Sequence, residues 1–337
     1  MAKHKIFFGT YSKGDGNGIF CGEFDGDNGE IKITDTLDIE NPAYLQLNNN
    51  ILYGVSEISD GELFAVNIAD PAQMKLINVK STHGKHPCHL CVKDNFVFAA
   101  NYSEGSLSIF EISEDGGIKD SCQSIYHFGK SVNPGRQTQS HVHFADMTPD
   151  NKYLAVCDLG LDKVFLYPYC CDTGLSTKAK IIECPPGAGP RHLTFSKDGE
   201  YMYVLTELTN TVLAYRYNGG DAEFLQEIST LPKDFTGHST CAAIHVSPDG
   251  RLLGASNRGH DSVAVFRIKN GGELGFETHI MTGKEPRDFN FSPDGRWLLA
   301  ANQNEDSLTL YDIENDKFID ANIKVPKPVC ILFGEEI

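Results

Sequence analysis

The sequence predicts an all-β protein: a seven-bladed β-propeller of four-stranded antiparallel blades, its ring closed by N- and C-terminal strands that share one blade. Three observations carry this. One unit of short β-rich runs recurs with a period of about 42 to 54 residues, inside the range in which four-stranded units stack radially. A turn signal recurs within the unit, as Ser247-Pro-Asp-Gly250, Ser292-Pro-Asp-Gly295, Lys197-Asp-Gly199 and the degenerate Thr148-Pro-Asp-Asn151. Half a unit stands at one end of the chain, and its missing runs stand at the other.

In order, the first copy is Asn41-Pro-Ala-Tyr-Leu-Gln-Leu47, followed by the runs 51–57 and 62–68. The second comprises 86–92, 96–101 and 106–110, and the third 140–146, 153–158 and 163–167. The fourth is the clearest. Between Gly189 and Tyr217 the residues Leu193, Phe195, Tyr201, Tyr203, Val204, Val212, Leu213 and Tyr215 fall in short runs, broken at Asp198-Gly199 and around Leu208 to Asn210. That pattern is three strands joined by tight turns. Because the start of one antiparallel strand and the end of the next share an edge, Arg191 and His192 are expected beside Glu207. The fifth copy is 239–246, 252–257 and 262–266, and the sixth 285–291, 297–302 and 307–311. The last half-copy, 327–333, finds its partners in 6–11 and 18–24, a pairing that removes a free sheet edge. No linker or low-complexity tract interrupts the series, so residues 1–337 are expected to form a single β-propeller domain.

Composition limits the functions such a ring could serve. A net charge of −17 and a pI near 5.1 argue against nucleic acid or an anionic membrane as partner, since both select a basic footprint. The N-terminal segment has an apolar run of only Ile6, Phe7 and Phe8 before Gly9, too short for a signal-peptide core, so a cytoplasmic location is expected. The ten cysteines are scattered through the strands and are expected to be reduced and mostly buried. One C-x-x-C, Cys88 to Cys91, lacks the second ligand pair of a zinc site, so no metal is expected. There is no G-x-S-x-G elbow. The glycine-rich stretch 14–18 leads into a strand rather than the helix a phosphate loop requires.

In a propeller the start of each first strand and the end of each second strand open on one face. Collecting those positions gives a rim of Tyr11, Tyr44, Glu57, His86, His89, Asn101, His141, His143, Asp158, Arg191, His192, Glu207, Asn257, Arg258, Arg287 and Asn302. A polar residue ending a second strand often only caps its turn, which applies to Asn101, Asp158, Asn257 and Asn302. Histidines such as His86, His89 and His245 are commonly structural. Arg191, Arg258 and Arg287 have no such explanation, and a guanidinium fork suits a carboxylate or phosphate. The polar loop from Phe128 to Gln139, feeding into His141 and His143, is long for a compact domain.

Five motifs bear a resemblance to a known family: Gly189-Pro-Arg-His-Leu-Thr-Phe-Ser with Tyr203-Val-Leu-Thr-Glu207; Asn101-Tyr-Ser-Glu-Gly-Ser106; Arg136-Gln137 followed by His141-Val-His143; Asp158-Leu-Gly-Leu-Asp162; and Ala255-Ser-Asn-Arg-Gly-His-Asp-Ser262. Over essentially the whole chain the sequence resembles the seven-bladed β-propeller lactonases of the 6-phosphogluconolactonase type, which are related to the carboxymuconate-lactonizing enzymes. The resemblance implies hydrolysis of a sugar δ-lactone, 6-phosphogluconolactone of the pentose phosphate route, without a cofactor. It places the catalytic group on His143, Arg191, Glu207 and Arg258. His141, His192, Asn257, Arg287, Asn101 and Asn302 are expected to bind substrate. Departures from the family pattern stand at Ser140, Val142 and Thr206.

In this reading Glu207 or His143 is the base that activates water, Arg191 donates to the oxyanion, and Arg258 or Arg287 clamps the anion. Arg191 should lower the Glu207 pKa. Glu207→Gln and His143→Ala are each expected to lower kcat with thermal stability nearly unchanged. The expected partner is a small anionic sugar lactone, with the protein a monomer or weak homodimer. Two alternatives use the same scaffold: a non-catalytic binding module, which would show aromatic anchors at its rim, or a cycloisomerase of a muconate-type dicarboxylate.

Overall fold

In the computed structural model, which describes residues 3–11, 18–70, 73–321 and 323–337, every regular element is a β-strand. Most of the glycine-rich stretch 14–18 lies outside the described residues; the strand Ile19–Asp25 follows it. The strands form seven antiparallel sheets. Six start on the inner strands Pro42–Asn48, Pro87–Lys93, Val142–Met147, Pro190–Phe195, Thr240–Val246 and Pro286–Phe291, and each then proceeds outward in chain order. The seventh joins the termini: Pro328–Glu336 is innermost and pairs with Lys3–Thr10, then Ile19–Asp25 and Ile31–Leu37 follow. Each inner strand touches the inner strands of both neighbouring blades, so the ring is closed.

The third blade departs from the simple pattern. Its outer edge is split into Gly174–Leu175 and Lys180–Glu183, both paired with Lys163–Cys170. The Asp-Gly turns form as the motif requires. In Ser247-Pro-Asp-Gly250 the Ser247 hydroxyl donates to Asp249 at 2.5 Å, and Gly250 takes the left-handed conformation at φ 78°. In the degenerate copy Asn151 takes that place at φ 55°, a conformation that asparagine tolerates.

The apolar core lies between blades rather than at the ring's centre. Among the described residues it divides into seven buried clusters, one for each pair of adjacent blades. The closing interfaces are built like the others: Phe7, Ile19 and Cys330 pack on Leu45, Leu52 and Phe64, while Ile6, Phe8 and Phe24 pack on Trp297 and Leu299. Radial packing of this kind supplies the burial that stabilises the fold. It leaves the axial channel free to carry polar groups.

Candidate active site

Two backbone features recurring in the blades aim side chains at one end of the channel. The first is a β-bulge near the start of every inner strand, where one extra residue opposes the second strand. A bulge turns its extra residue out of the alternation and towards the strand end. Those residues are Ala43, Cys88, His143, Arg191, Arg287 and Val329, with the pair Ala242–Ala243 in the fifth blade. Four carry chemistry. The small ones leave space.

The second feature is a left-handed residue immediately before an inner-strand proline: Asn41, His86, Gly189, Glu285 and Lys327, at φ 40° to 66°. The carbonyls of these five accept from the N–H groups of Glu57, Tyr102, Glu207, Gln303 and Tyr11 at 2.8 to 3.1 Å. One repeated hydrogen bond therefore sets Tyr11, Glu57, Tyr102 and Glu207 around the mouth.

These positions enclose a cavity of about 190 Å³ lined by Glu57, Cys88, Tyr102, Arg136, His143, Arg191, Glu207, Arg258 and Arg287. Glu207, 4% exposed, is its hub. Arg191 Nε donates to Glu207 Oε2 at 3.0 Å, Arg258 Nη2 lies 3.1 Å from the same oxygen, and Arg136 Nη2 donates to Oε1 at 2.5 Å. The guanidinium groups are held from behind: Arg191 Nη1 donates to the Ala242 carbonyl at 2.5 Å and Arg258 Nη2 to that of Cys241 at 3.0 Å. On the opposite wall Arg287 Nη2 is 3.4 Å from Glu57 Oε2, which accepts from the Tyr11 hydroxyl at 2.6 Å. The Arg287 guanidinium sits 5.0 Å from the Tyr11 ring centroid, a cation–π contact.

Four guanidinium groups thus face two carboxylates, an excess of two positive charges. Burial alone would raise the Glu207 pKa, but Arg258, Arg191 and Arg136 outweigh it and pull it down from 4.5 to about 2. The carboxyl is ionised at neutral pH, as its position beside Arg191 suggested. Burial, then Arg258 and Arg287, bring Arg191 down to about 10, and it stays cationic. His143 is driven well below the ordinary imidazole value by burial and by the cations Arg191 and Arg287. It is therefore a neutral imidazole, and its Nδ1 is buried with no hydrogen-bond partner. Burial, then Glu57, raise the Cys88 thiol, so it is no thiolate nucleophile.

Of the residues singled out from sequence, the fold brings His143, Arg191, Glu207, Arg258 and Arg287 to one cavity. His192 lies just beneath it in the channel, with Arg191 Nη1 at 3.1 Å from its Nε2 and the His143 and His89 rings each 5.2 Å away. His141 is set back: its ring stacks on Tyr102 at 4.3 Å and its Nδ1 is 3.1 Å from the Tyr102 carbonyl oxygen. It supports the wall rather than lining it.

The three asparagines expected to bind substrate lie off the cavity wall. Asn101 Nδ2 donates to the Ser106 and Ser108 hydroxyls, and Asn302 Nδ2 to those of Ser307 and Thr309. Asn257 is tied to Thr230 through both its amide atoms and also donates to Ser262. All three are buried and bond the first residue of the third strand of their own blade, Ser106, Ser262 or Ser307, and Asn257 also ties in Thr230 from the connection out of the preceding blade. Asp158, at that place in the third blade, accepts from the Gly160 N–H in the turn at 3.0 Å and from Ser140 at 2.6 Å, and lies 2.7 Å from His127 Nδ1.

Arg136 and Tyr102 were absent from the set of expected site residues. Arg136 comes from the polar loop, outside the strand positions that the blade repeat highlights. Its signal was the Arg-Gln pair in a long loop leading into two histidines. All ten cysteines are free, seven of them buried. Among the described residues no three His, Cys, Asp or Glu side chains cluster to hold a metal ion.

Comparison with known proteins agrees with this architecture. Residues 5–333 match the family model described as Lactonase, 7-bladed beta-propeller. The chain is 37% identical over the full length of both chains to the 6-phosphogluconolactonase of Bacillus subtilis. Among solved structures, a Bacteroides fragilis protein provisionally designated a 6-phosphogluconolactonase superposes with a TM-score of 0.95 at 30% identity, covering 99% of this chain and 98% of its own. The periplasmic gluconolactonase of Pseudomonas aeruginosa superposes with a TM-score of 0.92 at 32% identity, covering 99% of each.

Proposed function

From the premise that the chain belongs to the seven-bladed β-propeller lactonase family and is a lactonase, we propose that it hydrolyses 6-phosphoglucono-δ-lactone to 6-phosphogluconate. The observation that supports this most directly is the cavity's charge. An excess of two guanidinium groups matches a phosphate monoester, which carries about −1.5 to −2 charges at neutral pH. The volume of about 190 Å³ equals roughly six waters at liquid density, room for a single sugar ring.

In the proposed mechanism His143 is the base. Glu207 is a weak one, because a carboxylate with a pKa of about 2 and both oxygens taken by guanidinium groups has little affinity for a proton. His143 is neutral, and an anionic substrate offsets the cations that hold its pKa down. It accepts a proton from water as the water oxygen bonds to the lactone carbonyl carbon. Negative charge passes to the carbonyl oxygen, where Arg191 donates, a type of contact worth about 2.7 to 4 kcal/mol in the transition state. On collapse the bond from that carbon to the ring oxygen breaks, the ring oxygen takes the proton from the imidazolium, and the new carboxylic acid ionises. Glu207 holds Arg136, Arg191 and Arg258 in place. It acts as a positioning residue, and no step calls for a cofactor.

The test is hydrolysis of 6-phosphoglucono-δ-lactone and of glucono-δ-lactone by purified protein, read with a pH indicator and corrected for spontaneous opening. Turnover with a higher kcat/KM for the phosphorylated lactone is expected. Rates equal to the spontaneous ones for both would overturn the proposal. The Pseudomonas aeruginosa gluconolactonase motivates a second reading, an unphosphorylated lactone, which a reversed preference would favour.

A further inference from the structure

Arg136 reaches the cavity from outside the blades. It lies on the connection between the outer strand Ile118–Tyr126 of the second blade and the inner strand Val142–Met147 of the third. A surface connection this long is ordinarily mobile, but this one is pinned from below. Gln137 is fully buried, and its Nε2 donates to the Leu159 carbonyl at 2.9 Å and to Asp162 Oδ1 at 2.7 Å. Asp162 also accepts from the Ser131 hydroxyl and from the N–H groups of Gly187 and Gly189. One buried carboxylate thereby fixes both the loop that carries Arg136 and the segment that leads into Arg191.

The positive charge is unevenly distributed around the cavity. Arg287 is matched by Glu57 at 3.4 Å, whereas Arg136, Arg191 and Arg258 share Glu207 alone, so the excess sits on that trio. Within the trio the Arg191 and Arg258 side chains are only 3% and 12% exposed, and that of Arg136 is 40% exposed. Arg136 bonds Glu207 and the Tyr102 hydroxyl, at 3.3 Å, through Nη2, and its Nε and Nη1 make no hydrogen bond among the described residues. It is the most exposed member of the trio, with unbonded donors on the side from which a ligand arrives.

We propose that Arg136, with the Tyr102 hydroxyl, forms the subsite for a phosphate monoester on the lactone and sets the preference for phosphorylated over neutral sugar lactones. This rests on the lactonase reading above and assigns its phosphate recognition to the loop rather than to Arg287. Nη1 donates to a phosphate oxygen while Nη2 keeps its contacts with Glu207 and the Tyr102 hydroxyl.

The test is the ratio of kcat/KM on 6-phosphoglucono-δ-lactone to that on glucono-δ-lactone, in wild type, Arg136→Ala, Arg136→Lys and Arg287→Ala. Charge-assisted hydrogen bonds of this kind predict a fall in the ratio of at least about 10-fold in Arg136→Ala, with a smaller fall in Arg136→Lys, which keeps the charge and loses the directed guanidinium donors. In Arg287→Ala the ratio is expected to hold. An equal loss on both lactones in Arg136→Ala, or a fall in the ratio in Arg287→Ala alone, would overturn the subsite. A wild type that prefers the neutral lactone would overturn the substrate reading and this inference with it. A wild-type preference for the phosphorylated lactone that survives in Arg136→Ala overturns this inference alone.

Discussion

Replacing Glu207 with glutamine removes the one anion on which Arg136, Arg191 and Arg258 converge while keeping its shape. Glutamine at this position is the isostere of the protonated acid, so its cost follows from linkage. Folding lowers the Glu207 pKa from 4.5 to about 2. A carboxyl whose pKa falls on folding stabilises the native state above its unfolded pKa and loses that contribution as the pH drops through the folded value. At about 1.4 kcal/mol per unit, Glu207 contributes about 3 kcal/mol at neutral pH, in line with the roughly 3 to 5 kcal/mol for breaking a buried pair from one side. With an unfolding entropy near 2.1 cal/mol/K per residue, the 337 residues translate this into a fall in Tm of about 4 °C. Nearly unchanged stability, the expectation from sequence, is therefore revised.

The assay is thermal unfolding of wild type and Glu207→Gln at neutral pH and again near pH 3.5. By the lower pH about 1 kcal/mol of the wild-type advantage should be gone, narrowing the gap between the two proteins. Lactonase kcat should fall by tens-fold or more, because three guanidinium groups lose their common anchor. A variant within 1 °C of wild type at neutral pH, or a deficit that does not shrink on acidification, would refute the account of Glu207 as an ionised hub.

Two further outcomes are expected. The acid limb of kcat/KM should lie below pH 6.5, since burial, Arg191 and Arg287 favour neutral His143; Arg287→Ala should move that limb upward, and an unmoved limb would remove His143 as the titrating base. Asn257→Ala should cost about 1 to 3 kcal/mol in urea unfolding, because it removes a fully buried side chain's hydrogen bonds to the Thr230 hydroxyl and carbonyl and to Ser262, while KM stays within about twofold; a several-fold rise in KM would return Asn257 to the substrate.

The same blade-equivalent position served different ends in different blades, and sequence alone could not separate them. Asn101 ends the second strand of its blade and Glu207 directly follows that of its own. Both were placed on the rim by one rule. The structure shows that the residue paired with the first residue of the third strand turns into the blade, as Asn101, Asn257 and Asn302 do, while the next residue, Tyr102, Glu207 or Arg258, faces the cavity. A shift of one residue along a strand reverses the face, so a rim drawn to within one position mixes both kinds. His143, Arg191 and Arg287 were legible because each sits at the bulge near the start of an inner strand, a place the repeat marks directly.

What the sequence by itself determined is the local and repeated part: the number of blades, their strand order, the Pro-Asp-Gly turns and the closure of the ring by the two termini. These depend on alternation and turn chemistry within some tens of residues, and each repeat states them again. What only the tertiary structure decided is which charges meet. Glu207 is bonded by residues 71, 16 and 51 positions away in the chain, and those contacts follow from the curvature of the ring and the path of one pinned loop. Coulombic partnership depends on distance in space, and no local pattern encodes it; that is why Glu207 read as a candidate base in the chain and is a buried anchor for three arginines in the fold.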